Sequence, residues 1–227
     1  NTIYEDKLGM LWVGYLDAGA SQFRILNTGE LELVAHYNNE NGALSHNYVI
    51  DIQEDHLGRM WIATQNGLDR LNNDHQWTHY SNDKQAPNSL WSRSVRDLHL
   101  DAEERLWIVD STGRVYQVNH ANDDFLRYNP EVEGTSSRIF IDKQGGIWLG
   151  ISPSGVGRAH RYASAFKNYT NLTPGKDNNK NLEITAVEED SQGNLWVSTQ
   201  LSLNYIDRAT SEIVYSYLHN SSAPKGR

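Results

Sequence analysis

The sequence predicts an all-β fold, a β-propeller of four-stranded antiparallel blades, and three observations carry that expectation. A motif Asp-x-x-Gly-x-x-Trp recurs along the 227 residues, with its Trp at positions 12, 61, 107, 148 and 196. A Tyr column follows it at positions 37, 80, 128, 169 and 217. Between these columns the apolar residues alternate with period two, and no stretch keeps a helical period. Five copies of one short-strand module, at Trp intervals of 49, 46, 41 and 48 residues, are the spacing of propeller blades.

Each module is justified strand by strand. The first strand alternates, as in YVIDIQED (48–55) and SVRDLHLD (94–101). Asp-x-x-Gly then turns the chain, because Asp bonds its own downstream backbone and Gly accepts positive φ. The copies are Asp6–Gly9–Trp12, Asp55–Gly58–Trp61, Asp142–Gly145–Trp148 and Asp190–Gly193–Trp196, with Asp101–Glu104–Trp107 replacing the Gly by Glu. The second strand is the apolar one around Trp, followed two residues later by Gly14, Ala63, Val109, Gly150 or Ser198. In the second copy Asn66-Gly67 predicts a type I′ hairpin. Third strands (LDRLN, VYQVN, NYIDR) and fourth strands (QWTHYSN, FLRYN, FKNYT, VYSYL) complete the blades. Their expected limits are about 1–39, 40–82, 83–130, 131–171 and 172–219, in a single propeller region with 220–227 as a tail or the start of the next loop. Trp and Tyr are expected to fill the layers between blades.

Composition excludes several functions. Net charge is −9 with a pI near 5.4, and no basic cluster tracks a phosphate backbone, so nucleic acid is not an expected partner. The absence of Cys removes disulfides and thiolate chemistry. No apolar run reaches membrane-spanning length. His75 and His79 share a strand face at about 13 Å, too far apart for one ion. No metal or cofactor is expected. The pairs Glu54–Asp55 and Glu103–Glu104 and the run Glu188–Glu189–Asp190 read as solvated turn charges, and no catalytic residue is assigned.

Propellers bind at the mouth, where inter-blade loops meet the hairpins between second and third strands. On that alignment the loop positions are 45–48, 91–94, 134–137 and 182–185, and the hairpin positions 65–66, 110–112, 152–154 and 200–202. The ligand-binding candidates among them are Asn47, Tyr48, Gln65, Trp91, Arg93, Asp110, Arg138 and Gln200. Trp91 stands outside the Trp column, where an indole can stack on a sugar ring while Arg93 bonds hydroxyls or an acid group.

The motif followed by Thr64, Asn66, Gly67 and Leu68, with the loop-like segments NGALSHNYV (41–49) and APNSLWSRSV (86–95), resembles the two-component regulator propeller repeat. The resemblance covers essentially the whole chain, and its departures lie in turns: Glu104, the SPSG of the fourth copy and the QLS of the fifth. It implies a periplasmic, ligand-sensing propeller of a membrane-bound bacterial signalling protein of kinase or diguanylate-cyclase type. The implied partners are an oligosaccharide or other small molecule, the remainder of the parent sensor and a second copy in a homodimer, with membrane contact only through other parts of the parent. Asn1 aligns with Ile50 inside a first strand, so the five repeats read as a fragment of a larger array. The alternatives are a protein-interaction propeller or a propeller enzyme such as a lyase, and the chain itself is not expected to be an enzyme.

Overall fold

The computed structural model describes residues 1–82, 89–128, 135–152, 155–160, 167–169, 184–207, 210 and 212–218. These residues form strands and turns, with no helix among them. The strands make five four-stranded antiparallel sheets, each in sequential order. The first blade holds β1 (Thr2–Glu5), β2 (Met10–Gly14), β3 (Ala20–Ile25) and β4 (Leu31–Tyr37). The second holds β5 (Val49–Glu54), β6 (Met60–Thr64), β7 (Gly67–Leu71) and β8 (Trp77–Tyr80). The third holds β9 (Val95–Leu100), β10 (Leu106–Asp110), β11 (Val115–Asn119) and β12 (Asp124–Tyr128). The fourth holds β13 (Thr135–Ile141), β14 (Gly146–Ser152), β15 (Gly155–His160) and β16 (Lys167–Tyr169), and the fifth β17 (Ile184–Glu189), β18 (Leu195–Thr199), β19 (Ser202–Asp207) and β20 (Glu212–Leu218). The chain divides into a unit of three blades, Asn1–Asn129, and a unit of two, Pro130–Arg227.

The repeat motif is a hydrogen-bonded latch. In the second blade one Asp55 carboxylate oxygen accepts the backbone N–H of Leu57 and Arg59, at 2.9 and 3.0 Å. The other accepts the Trp61 indole N–H at 2.8 Å. The same indole bond is made by Trp12 to Asp6, Trp107 to Asp101 and Trp148 to Asp142, at 2.7–2.8 Å. One carboxylate therefore closes the turn and aims the Trp. Positive φ at the fourth motif position explains its Gly, and the third copy holds Glu104 there at φ 58°.

Blades stack Trp face against aliphatic face. Trp12 and Tyr37 of the first blade pack with Ile52, Met60 and Ile62 of the second. Trp61 and Tyr80 of the second pack with Leu98, Leu106 and Ile108 of the third. In the second unit Trp148 meets Val187, Leu195 and Val197. Trp and Tyr stack within a blade, with ring centroids 5.4 Å apart for Trp12–Tyr37 and 5.5 Å for Trp61–Tyr80. The small residue after the Trp strand allows the next blade to approach. A Cβ on Gly14 would lie 2.5 Å from Val49 Cγ1, and one on Gly150 would lie 2.7 Å from Ile184 Cβ.

Two expectations are corrected. The hairpin after β6 is not type I′ on Asn66-Gly67. Thr64 pairs with Gly67, so Gln65 and Asn66 form the loop, and neither has positive φ. Thr64 Oγ1 caps that turn by accepting from the Asn66 N–H and donating to the Gly67 carbonyl. Nor are Glu54 and Asp55 solvated charges: both are buried, Asp55 in the latch and Glu54 accepting the Lys7 N–H of the preceding blade at 2.7 Å.

Candidate functional site

The inter-blade loops and the hairpins between second and third strands meet at one edge of their blades. In the second blade the Gln65 N–H donates to the Tyr48 carbonyl at 3.2 Å. The loop is tied back to the first blade by Gly19 N–H to Asn47 O and Val49 N–H to Tyr15 O, at 2.8 and 2.9 Å. Asn47 spends its amide internally, accepting from the Asn39 N–H and donating to the Glu40 carboxylate. Tyr48 is half-buried and Gln65 exposed. Ser45 donates from its backbone N–H and its hydroxyl to Asp69, a fully buried carboxylate that also holds His79 Nδ1 at 2.8 Å. That hydrogen bond raises the His79 pKa against the opposing effect of burial.

The third blade brings together the most elaborate group. The Trp91 N–H donates to Tyr116 Oη at 2.9 Å, and the Tyr116 hydroxyl donates onward to Asp110 Oδ2 at 2.6 Å. Asn82 Nδ2 donates to the Trp91 carbonyl. Ser92 and Ser111 share a hydroxyl hydrogen bond of 2.9 Å, and the Ser111 N–H donates to the Ser94 carbonyl at 2.9 Å. Trp91 nevertheless stays 38% exposed. The guanidinium carbons of Arg114 and Arg127 lie 4.7 and 5.4 Å from its ring centroid. Arg93 follows two residues along the loop and is exposed.

Asp110 has a different place from the one expected. It is fully buried, and its oxygens accept from Thr112 N–H, Thr112 Oγ1, Arg114 N–H and Tyr116 Oη. It anchors the hairpin and, through Tyr116, the Trp91 loop, with no oxygen turned to a ligand. Burial and then the Asp110 hydrogen bond push the Tyr116 hydroxyl far up, so it stays protonated and can only donate toward that carboxylate. In the second unit Arg138 is exposed on β13, its Nε donating to the Thr185 carbonyl at 3.4 Å, and Gln200 is exposed between β18 and β19. The candidate positions 134, 153, 154, 182 and 183 lie outside the described residues, as do the side chains of 136 and 137.

The structure thus joins Tyr48 with Gln65 and the Trp91–Ser94 loop with the Asp110 hairpin, each within its blade. Tyr116, Arg114 and Arg127 were not legible as part of the Trp91 group, although one signal was present. Asp110-x-x-Gly113-x-x-Tyr116 repeats the latch spacing with Tyr in place of Trp, and its bonds copy those of Asp101. Among the described residues no cluster of three or more His, Asp or Glu side chains is placed to hold a metal ion.

Four-stranded sheets in sequential order, stacked Trp face to aliphatic face, define the class: this is a β-propeller protein. Two stretches of it match the family model of the two-component regulator propeller, residues 43–66 and 178–200. Among curated proteins none matches the sequence. Among solved structures the chain is similar to the extracellular domain of a system assigned as hybrid two-component from B. thetaiotaomicron, with TM-score 0.77 and 18% identity over 93% of this chain and 29% of that one. A second extracellular domain from B. thetaiotaomicron, described as one-component, matches with TM-score 0.74 and 19% identity over 96% of this chain and 31% of its own. A streptogramin B lyase matches with TM-score 0.70 and 15% identity over 97% of this chain and 69% of the enzyme. At these identities the likeness establishes the fold, and the chain spans less than a third of the length of the two extracellular domains.

Proposed function

We propose that this chain is part of the ligand-sensing propeller of a membrane-bound bacterial signalling protein, extracytoplasmic and facing the periplasm, with oligosaccharides as its ligand class. The observation that carries the reading is the two-component regulator propeller match, made at two separate repeats. The likeness to extracellular domains of bacterial signalling systems supports it. The loop chemistry of the first unit supports it as well: exposed Gln65, Trp91 and Arg93 and half-buried Tyr48 supply aromatic and polar contacts on loops held by their blades. The remainder of the parent sensor, and a second copy of it, are the partners in this reading. Ligand occupancy would reach the output by favouring one packing of the blades over another.

A scanning-fluorimetry screen of the chain against neutral and acidic oligosaccharides tests it. A ligand at about one hundred times its Kd stabilises the folded state by about 2.7 kcal/mol, a Tm rise of a few degrees. The same ligand should change the output of the parent protein. A sugar that is consumed rather than retained would instead favour the lyase reading, which the streptogramin B lyase likeness motivates. Protein capture with no small-molecule response would favour an interaction platform.

A further inference from the structure

We propose that the Trp91 group of the third blade is an anion subsite, taking the carboxylate or sulfate of a ring-bearing ligand such as an acidic sugar. The proposal rests on the oligosaccharide-sensing reading and narrows its ligand to acidic members.

The first observation is how charge is distributed. The chain carries a net charge of −9, and five arginines elsewhere are matched with acids. Arg24 pairs with Glu32, Arg59 with Asp55, Arg70 with Asp123, Arg105 with Asp101 and Arg158 with Asp142. Arg93 and Arg114 have no carboxylate within 4 Å among the described residues. The nearest acid on the hairpin, Asp110, has both oxygens taken by hairpin donors and the Tyr116 hydroxyl. Cationic charge is therefore left unmatched at this loop of an acidic protein.

The second observation is unspent donor capacity. The Arg114 Nε and the Ser94 hydroxyl are buried and make no hydrogen bond. A buried donor without an acceptor is destabilising, a cost that an incoming oxyanion removes. Arg114 is oriented by its Nη1 bond to Thr112 Oγ1 at 3.0 Å, and Arg127 by its Nη2 bond to the Ser89 carbonyl at 2.8 Å. Both guanidiniums lie against the Trp91 indole. For Arg114, contact through the face of the guanidinium leaves in-plane N–H groups to meet an oxyanion. Such charge-assisted bonds are roughly twice as strong as neutral ones.

The third observation is preorganisation. Five hydrogen bonds hold the loop, from Trp91 to Tyr116, Asn82 to Trp91, Ser92 to Ser111, Ser94 to its own Ser92 and Ser111 to Ser94. A cationic surface fixed before the ligand arrives avoids the ordering cost that a free loop would pay. The exposed part of Trp91 offers the sugar ring a contact beside the anion.

Calorimetric titration of the chain with galactobiose, digalacturonate and sulfated galactose tests the proposal. Digalacturonate or sulfated galactose should bind at least tenfold tighter than galactobiose, with the preference falling as salt is raised. Which acid binds separates carboxylate from sulfate. Arg114→Gln should remove the preference. Arg93→Gln, at an exposed position, should weaken it and gives a second variant should Arg114→Gln fail to fold. Arg24→Gln, at a paired arginine of the first blade, should leave it intact. Equal binding of galactobiose, or a preference that survives both the Arg114 and Arg93 substitutions, would overturn the subsite and leave the sensor reading standing. Binding of none of the sugars would overturn the subsite and remove the support for an oligosaccharide ligand.

Discussion

Replacing Asp55 by Ala puts the latch itself under test. The carboxylate is fully buried and accepts four hydrogen bonds: from the Leu57 and Arg59 backbones, the Trp61 indole and the Arg59 side chain at 2.8 Å. Its removal leaves the buried indole N–H without an acceptor, at about 1–3 kcal/mol, and strips a mostly buried Arg59 of its partner. Breaking a buried ion pair from one side typically costs about 3–5 kcal/mol, and the two effects overlap rather than add. The expected loss is about 3–5 kcal/mol, read from urea unfolding followed by Trp fluorescence and by circular dichroism. Glu32→Ala, which breaks the half-exposed Arg24–Glu32 pair, should cost at most about 1 kcal/mol. Burial alone would raise the Asp55 pKa. The hydrogen bonds from Trp61 and Arg59, with the Arg59 charge, outweigh it and hold the value below the ordinary one. Its stabilising contribution is therefore present above the unfolded value of about 3.9 and lost as the pH falls through the folded value. The gap between native chain and variant should close on acidification below about pH 4. A loss under about 1 kcal/mol at neutral pH, no larger than that of Glu32→Ala, would refute the latch as an energetic element.

Further substitutions probe the turn, the blade interface and two histidines. Glu104→Gly relieves a left-handed conformation that costs a side chain about 1–2 kcal/mol, partly offset by chain entropy, so a gain of about 0.5–1 kcal/mol is expected in denaturant titration and a loss would refute it. Gly14→Ala drives a Cβ into Val49 and Thr2 and should cost about 1–3 kcal/mol, whereas a neutral result would show that the blades part without cost. His79 and His120 should tilt stability in opposite directions with pH. The His79 pKa is raised by its hydrogen bond to Asp69, so its contribution is full below about 6.5 and fades as pH rises through the folded value. The His120 pKa is lowered by burial and then by Arg59, so stability falls as pH drops from about 6.5 through its folded value. Unfolding of His79→Gln and His120→Gln across pH 5–8 checks both signs, and slopes of one sign would contradict them.

Much of the architecture was legible in sequence because the repeat is local. Asp, Gly and Trp within seven positions carry their own turn and ring orientation, and period-two alternation marks the strands around them. Even the departures obey that local grammar, since Glu104 takes the positive φ its column demands. The hairpin type was misread because Asn66-Gly67 is a real local signal, but Thr64 capping shifts the loop by one residue and leaves Gly67 facing the Tyr80 carbonyl, where a Cβ would sit at 2.8 Å.

What the sequence determined by itself was the module: the Asp-led turn before each Trp strand and the Trp that points into the layer. It also singled out Trp91, because an aromatic outside its column is visible as an exception. Tertiary structure decided which polar side chains are spent on folding and which are brought together. Asp110 and Asn47, polar and in mouth loops, are consumed by internal donors and acceptors, while Arg114 from the β10–β11 hairpin and Arg127 from β12 reach the ring of Trp91. The physical reason is that hydrogen-bond capacity is finite and shared across strands. Whether a buried carboxylate or guanidinium has any left depends on neighbours that chain spacing does not reveal.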